Sequence, residues 1–238
     1  MRRSIRRVLG GAIVIQVALS IGVADSQAQT SAAKYPAMAP VEKYLIQDEN
    51  AEIALARTAA PPSISGKAEV MVLRRDGYTT AAKGENGFLC IVERAWGAAT
   101  TEPEFWNPNV RAPICFNPPA AQTFLPIYLM RTRLLLAGKS KAEMLQATAA
   151  ALDKHELPAL APAAMCYMTS RQQYLNDQGK RWHPHLMFFV EGHAAQMWGA
   201  DLPGSPIIAA DDPEERVTIL MVWTGKWSDG TDAPQSSH

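Results

Sequence analysis

The sequence predicts a single α+β domain whose mainly antiparallel sheet is packed by an N-terminal helix and a helical hairpin. Three observations predict it. β-type runs fall into two groups, one before residue 96 and one after residue 163, and two helix-forming stretches joined by Gly-Lys-Ser lie between the groups. Asp-Gly and Asn-Gly separate the first three runs, as in hairpins. The order helix, three strands, two helices, three strands is typical of an α+β domain.

The N-terminal helix is expected over residues 41–59, where apolar residues recur at helical spacing before the string Ala-Pro-Pro ends the pattern. The first three strands are expected at 68–75, 78–83 and 87–95 as an antiparallel meander.

Residues 97–119 contain five prolines and are expected to form an irregular connection. In the helical hairpin, Pro126 should start or kink the first helix and Gly138 should end it, and Ser140 with Glu143 forms a capping-box pattern. The last three strands are expected at residues 164–168, 185–190 and 217–223.

The first 28 residues have the features of a secretory signal peptide. Four arginines precede an apolar run, and Ser-Gln-Ala then offers small residues to a signal peptidase. We expect cleavage after Ala28, with an uncleaved N-terminal anchor as the alternative. The prediction is therefore a signal peptide at 1–28, a mobile leader at 29–37, the domain at 38–228 and a frayed tail at 229–238. The expected location is periplasmic or secreted.

The charge of the exported chain excludes two classes of partner. Removal of residues 1–28 leaves 19 basic and 22 acidic side chains, without a basic cluster. Binding to phosphate backbones requires concentrated Lys and Arg, so no nucleic-acid partner is expected. No membrane partner is expected after signal cleavage, for the same reason.

Three cysteines indicate one disulfide and one free thiol in an oxidising compartment. We favour Cys90–Cys115, because this bridge would fix the Pro- and Asn-rich connection and contribute about 3–4 kcal/mol. Cys166 lies in the apolar string Ala-Ala-Met-Cys-Tyr-Met and is expected to be buried. Other pairings remain open from the sequence.

The string Trp-His-Pro-His at 182–185 is the best candidate for a metal site. On an extended chain residues i and i+2 share a face, so His183 and His185 can reach one ion. Glu191 and His193 can supply further ligands if the chain turns back after the strand. Such a set would suit a divalent metal such as zinc.

A structural interpretation of the same string stands beside the metal one. Pro184 lacks an N–H and suits the beginning of a strand. The histidines would then bond backbone carbonyls or stack on Trp182.

A second cluster of polar and aromatic residues predicts a small-molecule pocket, since such pockets combine apolar walls with a few fixed donors and acceptors. Arginines in this cluster could bind a carboxylate with two hydrogen bonds, or Arg94 could pair with an acid of the protein itself. The predicted ligand-binding residues are Arg94, Trp106, Arg111, Asn117, Arg171, Trp182, His183 and His185.

The strings GENGFLCIVERAW, EFWNPNVRAPICFNP and WHPHLMFFV resemble exported bacterial proteins of unassigned function. The resemblance covers most of the mature chain. It implies no activity and assigns no catalytic residue.

Two functional hypotheses follow from the sequence. The first is an exported domain that binds a small molecule or serves as an accessory domain. The second is a metal-assisted hydrolase centred on His183 and His185, with Glu191 or His193 as a further ligand and a metal-bound water as nucleophile. Whether the protein is an enzyme, and what oligomeric state it adopts, is left open by the sequence.

Overall fold

The computed structural model of the protein describes residues 34–234, which form five α-helices and one eight-stranded sheet. The predicted α+β fold with a mainly antiparallel sheet is confirmed. The predicted signal peptide lies outside the described residues.

The strands are β1 (Glu69–Arg74), β2 (Gly77–Ala82), β3 (Leu89–Glu93), β4 (Ala112–Phe116), β5 (Met165–Met168), β6 (His185–Glu191), β7 (Ile207–Asp212) and β8 (Val217–Trp223). The helices are α1 (Glu49–Arg57), α2 (Pro62–Ser65), α3 (Pro118–Thr123), α4 (Leu125–Leu136) and α5 (Lys141–Asp153). Short 3-10 turns occur at Val41–Lys43, Ala95–Gly97 and Ala195–Trp198.

The spatial order of the sheet is β2-β1-β3-β4-β5-β6-β8-β7, and every neighbouring pair except β1 and β3 is antiparallel. The predicted meander is therefore wrong at its third strand. β3 crosses past the end of β1 and pairs with it in parallel. A side chain at Gly84 in this crossing would place its Cβ 2.2 Å from the Glu69 amide nitrogen, so the close approach requires glycine.

The parallel pairing of β1 with β3 is short. Only Glu69 with Leu89 and Val70 with Cys90 are paired, and the two strands diverge beyond them. Backbone groups farther along both strands must therefore find other hydrogen-bond partners.

Hydrophobic side chains pack on both faces of the sheet. On one face, α3, α4 and α5 cover a large cluster that includes Ile91, Ile114 and Phe116. On the other face, α1 covers a smaller cluster that includes Val70, Val72 and Val92. The strand residues alternate between these clusters, as the period of two requires.

The N-terminal helix is shorter than the predicted 41–59. A 3-10 turn at Val41–Lys43 is separated from α1, which begins after Asp48. The Asp48 side chain accepts a hydrogen bond from the Asn50 amide at 2.9 Å and so caps the new helix.

Two strands were missed by the sequence prediction, β4 inside the expected irregular connection and β7 near the C-terminus. Proline disfavours a central strand because it cannot donate to the ladder. β5 pairs with β4 only at Cys115 and Phe116. Pro113 therefore has no strand neighbour on the β5 side of β4, where its missing N–H breaks no ladder hydrogen bond.

The helical hairpin is present as predicted. The Ser140 hydroxyl accepts from the Glu143 amide, and the Glu143 carboxylate accepts from the Ser140 amide, which completes the capping box. Gly138 adopts φ +81°, the left-handed conformation that ends many helices.

The Cys90–Cys115 disulfide is confirmed and Cys166 is a buried free thiol. The two bridged cysteines lie directly opposite each other on β3 and β4. The bridge therefore joins neighbouring strands besides closing the connection between them.

The parts of the predicted leader and tail that the structure describes are hydrogen-bonded to the domain. The Tyr35 hydroxyl donates to Asp177 at 2.7 Å. In the tail, Lys226 pairs with Asp232 at 2.7 Å, and the Ala233 amide donates to the Gly225 carbonyl.

Candidate functional site

An apolar cavity of about 260 Å³ lies against the face of the sheet that carries the larger hydrophobic cluster. Strands β4, β5, β6 and β8 each contribute to its floor, because alternate residues of a strand point to the same face. The floor residues are Ala112, Ile114, Met168, Met187, Phe189 and Ile219.

The connection between β3 and β4 forms most of the opposite wall. Gly97, Ala98, Glu104 and Val110 of this connection line the cavity, together with Phe124 and Leu175 from elsewhere in the chain. Gly97 and Ala98 are exposed to solvent, so the cavity opens beside the 3-10 turn that follows β3. The proline-rich connection therefore supplies part of the cavity wall.

Glu93 is the last residue of β3, and its carboxyl group faces the cavity. It continues the row of Leu89 and Ile91, which belong to the larger cluster, while its strand partner is Ala112 on the cavity floor. Within residues 34–234 the Glu93 side chain has no hydrogen bond or ion pair. A partly exposed carboxyl group therefore lines this mainly apolar cavity without a hydrogen-bond partner among the described residues.

Removal from water raises the pKa of the Glu93 carboxyl to about 8. The Arg131 guanidinium acts in the opposite direction and lowers this pKa, whereas the Glu215 carboxylate raises it. Burial disfavours the ionised form of a carboxyl group, and a neighbouring like charge disfavours it further. The raised pKa therefore favours the protonated form of Glu93 at neutral pH.

Arg131 is engaged by other groups. Its Nη1 donates to Glu215 Oε1 at 2.6 Å, and its Nη2 donates to the Ala98 carbonyl at 3.0 Å. Both members of the Arg131–Glu215 pair are buried. The pair links the segment after β3 to α4 and to the turn before β8. The positive charge of Arg131 is therefore already neutralised by Glu215.

The protonated Glu93 carboxyl can donate one hydrogen bond and accept others, and its ionised form can bind a cation. The surrounding hydrocarbon walls favour the apolar part of a ligand. The cavity thus combines one polar anchor with apolar space.

The Trp-His-Pro-His string supplies the beginning of β6, as its structural interpretation predicts. His185 is buried, its Nδ1 lies 2.7 Å from the His183 carbonyl oxygen, and its ring packs edge-on against Trp182. Burial lowers the pKa of His185. The His183 ring stacks on Trp223 with 4.7 Å between ring centroids.

The structure does not bring the four predicted metal ligands together. His183 and His185 lie at one end of β6, whereas Glu191 ends the strand roughly 20 Å away at 3.3 Å per residue. His193 follows Glu191 and pairs with Asp211 at 3.1 Å. In the described part of the chain, no group of three or more His, Cys, Asp or Glu side chains is arranged to hold a metal ion.

Three of the predicted ligand-binding residues, Arg171, Trp182 and His183, do meet. They line a surface depression of about 290 Å³ together with Arg181 and Trp227. The depression extends to Pro234, the last residue that the structure describes.

The other predicted ligand-binding residues have structural partners. Arg94 pairs with the buried Glu52, which is the alternative that the sequence left open. The carbonyl of the buried Trp106 accepts from the Tyr44 hydroxyl, Arg111 donates to the carbonyls of Pro108 and Val110, and Asn117 caps α3.

Sequence reasoning did not predict Glu93 as a site residue. The available signal was strand alternation. Glu93 falls on the same face as Leu89 and Ile91, so a carboxylate occupies a position in an apolar row. The residue predicted from the sequence to bind a ligand was Arg94, the neighbour of Glu93.

No family model, curated protein or solved structure matches this chain. Across residues 34–234, no helix has the length and apolar character needed to cross a membrane.

Proposed function

We propose that the protein is a small-molecule binding domain that takes an apolar ligand with one polar end into the Glu93 cavity. The observation that carries the proposal is the unpaired Glu93 carboxyl inside an apolar cavity of about 260 Å³. Ligand sites in proteins commonly combine apolar walls with a few convergent polar groups and a perturbed pKa.

Two features of the cavity lower stability and are therefore expected at a functional site. An apolar cavity forfeits the packing contacts that side chains would otherwise make in that space. A partly buried carboxyl group that has no hydrogen-bond partner also lowers stability when it ionises, because it loses part of its solvation. Neither feature stabilises the folded domain, which supports a binding role.

The proposal includes export. The predicted signal peptide precedes the domain, and the Cys90–Cys115 disulfide is compatible with an oxidising compartment. The ligand would then be met in the periplasm or outside the cell.

Binding of the neutral fluorescent dye N-phenyl-1-naphthylamine tests the proposal. Ala112 is a buried residue of the cavity floor, so Ala112→Leu places extra carbon atoms in the space a ligand needs. We expect the wild-type protein to bind the dye and Ala112→Leu to weaken binding about tenfold or more, equivalent to 1.4 kcal/mol.

Ala210→Leu is the matched control, since the same substitution then lies at an exposed position of β7 away from the cavity. It should bind the dye as the wild type does. Equal dye binding by Ala112→Leu and the wild type, with both proteins folded by circular dichroism, would contradict the proposed site.

A further inference from the structure

We infer that the cavity selects an organic cation, a small amine whose ammonium group pairs with the Glu93 carboxylate while its hydrocarbon part fills the apolar space. This inference rests on the binding function proposed above and names the class of ligand.

The charged side chains at the cavity favour a cation. Glu93 and Glu104 both line it, and among the described residues the Glu104 carboxylate has only the Asn107 side-chain amide as partner, at 2.5 Å. Arg94 is the one basic residue among the described residues that line the cavity. Its side chain is 0% exposed and its nitrogens bond to groups outside the cavity, so it is not available to a ligand. A ligand therefore meets acidic groups and no accessible basic group.

The charges behind the cavity wall lead to the same ligand. Arg131 and Glu215 neutralise each other. Ionisation of Glu93 therefore leaves these three side chains with one net negative charge. Tyr78, Tyr128 and Cys166 also interact electrostatically with Glu93, and burial raises the pKa of all three, which keeps them neutral. An ammonium group restores neutrality, whereas a carboxylate ligand adds a second uncompensated charge.

Pairing explains how the ionised form of Glu93 becomes stable in an apolar space. An ionised carboxylate in an apolar space is penalised because it loses solvation. An opposite charge in direct contact offsets much of that penalty. The neutral Glu93 carboxylic acid gives its proton to solvent as the ammonium ion enters. The products are an ammonium–carboxylate pair in the cavity and one proton in solution, so charge and atoms balance.

Isothermal titration calorimetry with three ligands of one shape tests the inference. The ligands are 2-phenylethylamine, neutral 2-phenylethanol and anionic 3-phenylpropanoate. We expect the amine to bind about tenfold more tightly than the alcohol, equivalent to 1.4 kcal/mol, and the anion to bind most weakly. Titrations in two buffers of different ionisation enthalpy should show close to one proton released per amine bound at neutral pH, and none released with the alcohol.

Variants separate a direct ion pair from a general preference for amines. Glu93→Gln should bind 2-phenylethanol but lose both the preference for the amine and the proton release. Glu69→Gln, on β1 and hydrogen-bonded to Thr80, is the matched control and should behave as the wild type. Retention of the amine preference in Glu93→Gln would overturn the inference.

The failure of the inference and the failure of the proposed function give different results. If the amine binds no more tightly than the alcohol while N-phenyl-1-naphthylamine still binds, the cation inference is overturned and the binding function stands. If the dye and all three phenyl ligands fail to bind, both are overturned.

Discussion

Glu93 and Arg94 are consecutive residues in two contrasting electrostatic environments. Arg94 has a side-chain exposure of 0% and is bonded through each of its three guanidinium nitrogens. Glu93 faces the cavity, and its side chain has no partner within residues 34–234. One charged residue is integrated into the fold, and the next is left for a group from outside the chain.

The Arg94 side chain and its neighbours bond backbone groups of the sheet that have no strand partner. Where β1 and β3 diverge, the Leu73 amide and the Val92 carbonyl cannot bond each other. The Leu73 amide donates to Glu52 Oε1 at 3.2 Å, and the Val92 carbonyl accepts from Arg94 and from the Tyr78 hydroxyl. Arg94 Nη2 and Glu52 Oε1 then close the network at 2.8 Å.

The contrast shows that the fold can satisfy a buried charge where structure requires it. A carboxylate and a guanidinium are matched at Glu52 and Arg94, with backbone groups as further partners. Glu93 lies one residue away without such a match. Glu52 Oε2 and Arg131 Nε are also buried without a hydrogen-bond partner, but each belongs to a side chain that is otherwise ion-paired, whereas the Glu93 side chain has no hydrogen bond or ion pair within residues 34–234.

Removal of Arg94 is expected to have the largest effect. Arg94→Ala leaves the Glu52 carboxylate buried without its counter-ion and should lower the free energy of unfolding by about 3–5 kcal/mol. Urea denaturation at neutral pH measures this change.

Lys139→Ala is the control, because it breaks the exposed Lys139–Glu143 pair and should cost less than about 1 kcal/mol. A similar small loss in Arg94→Ala would mean that the Arg94 network does not support the fold.

Neutralising Glu93 should have the opposite sign. Glu93→Gln should be more stable than the wild type at about pH 8.5, by about 2–4 kcal/mol, because the folded protein no longer ionises a group in apolar surroundings. At about pH 4.5 the two proteins should be nearly equal in stability. Urea denaturation of both proteins across this range gives the difference at each pH.

The sign follows from the raised pKa of Glu93. Well below the ordinary glutamate pKa of about 4.3 the carboxyl is protonated in the folded and unfolded chains, so it does not affect stability. As the pH rises toward 8, the unfolded chain ionises first, and wild-type stability declines through this window relative to Glu93→Gln. A constant difference between the two proteins from pH 5 to 8 would contradict the account.

The smallest expected effect on stability comes from crowding the Glu93 carboxyl. A Cβ at Gly97 would lie 2.9 Å from Glu93 Oε2, so Gly97→Ala must shift the carboxyl group by a few tenths of an ångström. We expect unfolding free energy to change by less than about 1 kcal/mol, while the affinity for 2-phenylethylamine falls severalfold. Calorimetry and urea denaturation on the same preparation separate the two effects, and unchanged affinity would place the amine elsewhere.

The fold class, the helical hairpin and the disulfide could be predicted because each depends on local sequence or on a few residues. The capping box at Ser140 needs only four consecutive residues. β4 could not be recognised, since Pro113 is tolerated there only because β5 is short on that side. The parallel position of β3 likewise depends on the crossing at Gly84, which is a tertiary contact.

The site was harder to predict for the same reason. The string Trp-His-Pro-His is conspicuous in the sequence, but the direction of β6 separates His185 from Glu191. Glu93 is inconspicuous, because its importance arises from residues of four other strands that surround it in space. Strand alternation identifies its face, and only the assembled sheet reveals the cavity.

The most direct test of the account is the ionisation of Glu93 itself. A carbon-13 NMR titration of the glutamate carboxyl groups in the protein, with Glu93→Gln used to assign the signal, reports this pKa. The account predicts a midpoint at about 8 without ligand and a lower midpoint when 2-phenylethylamine is bound. A midpoint at the ordinary value for glutamate, about 4.3, would contradict the claim that the cavity holds an unpaired carboxyl group in an apolar environment.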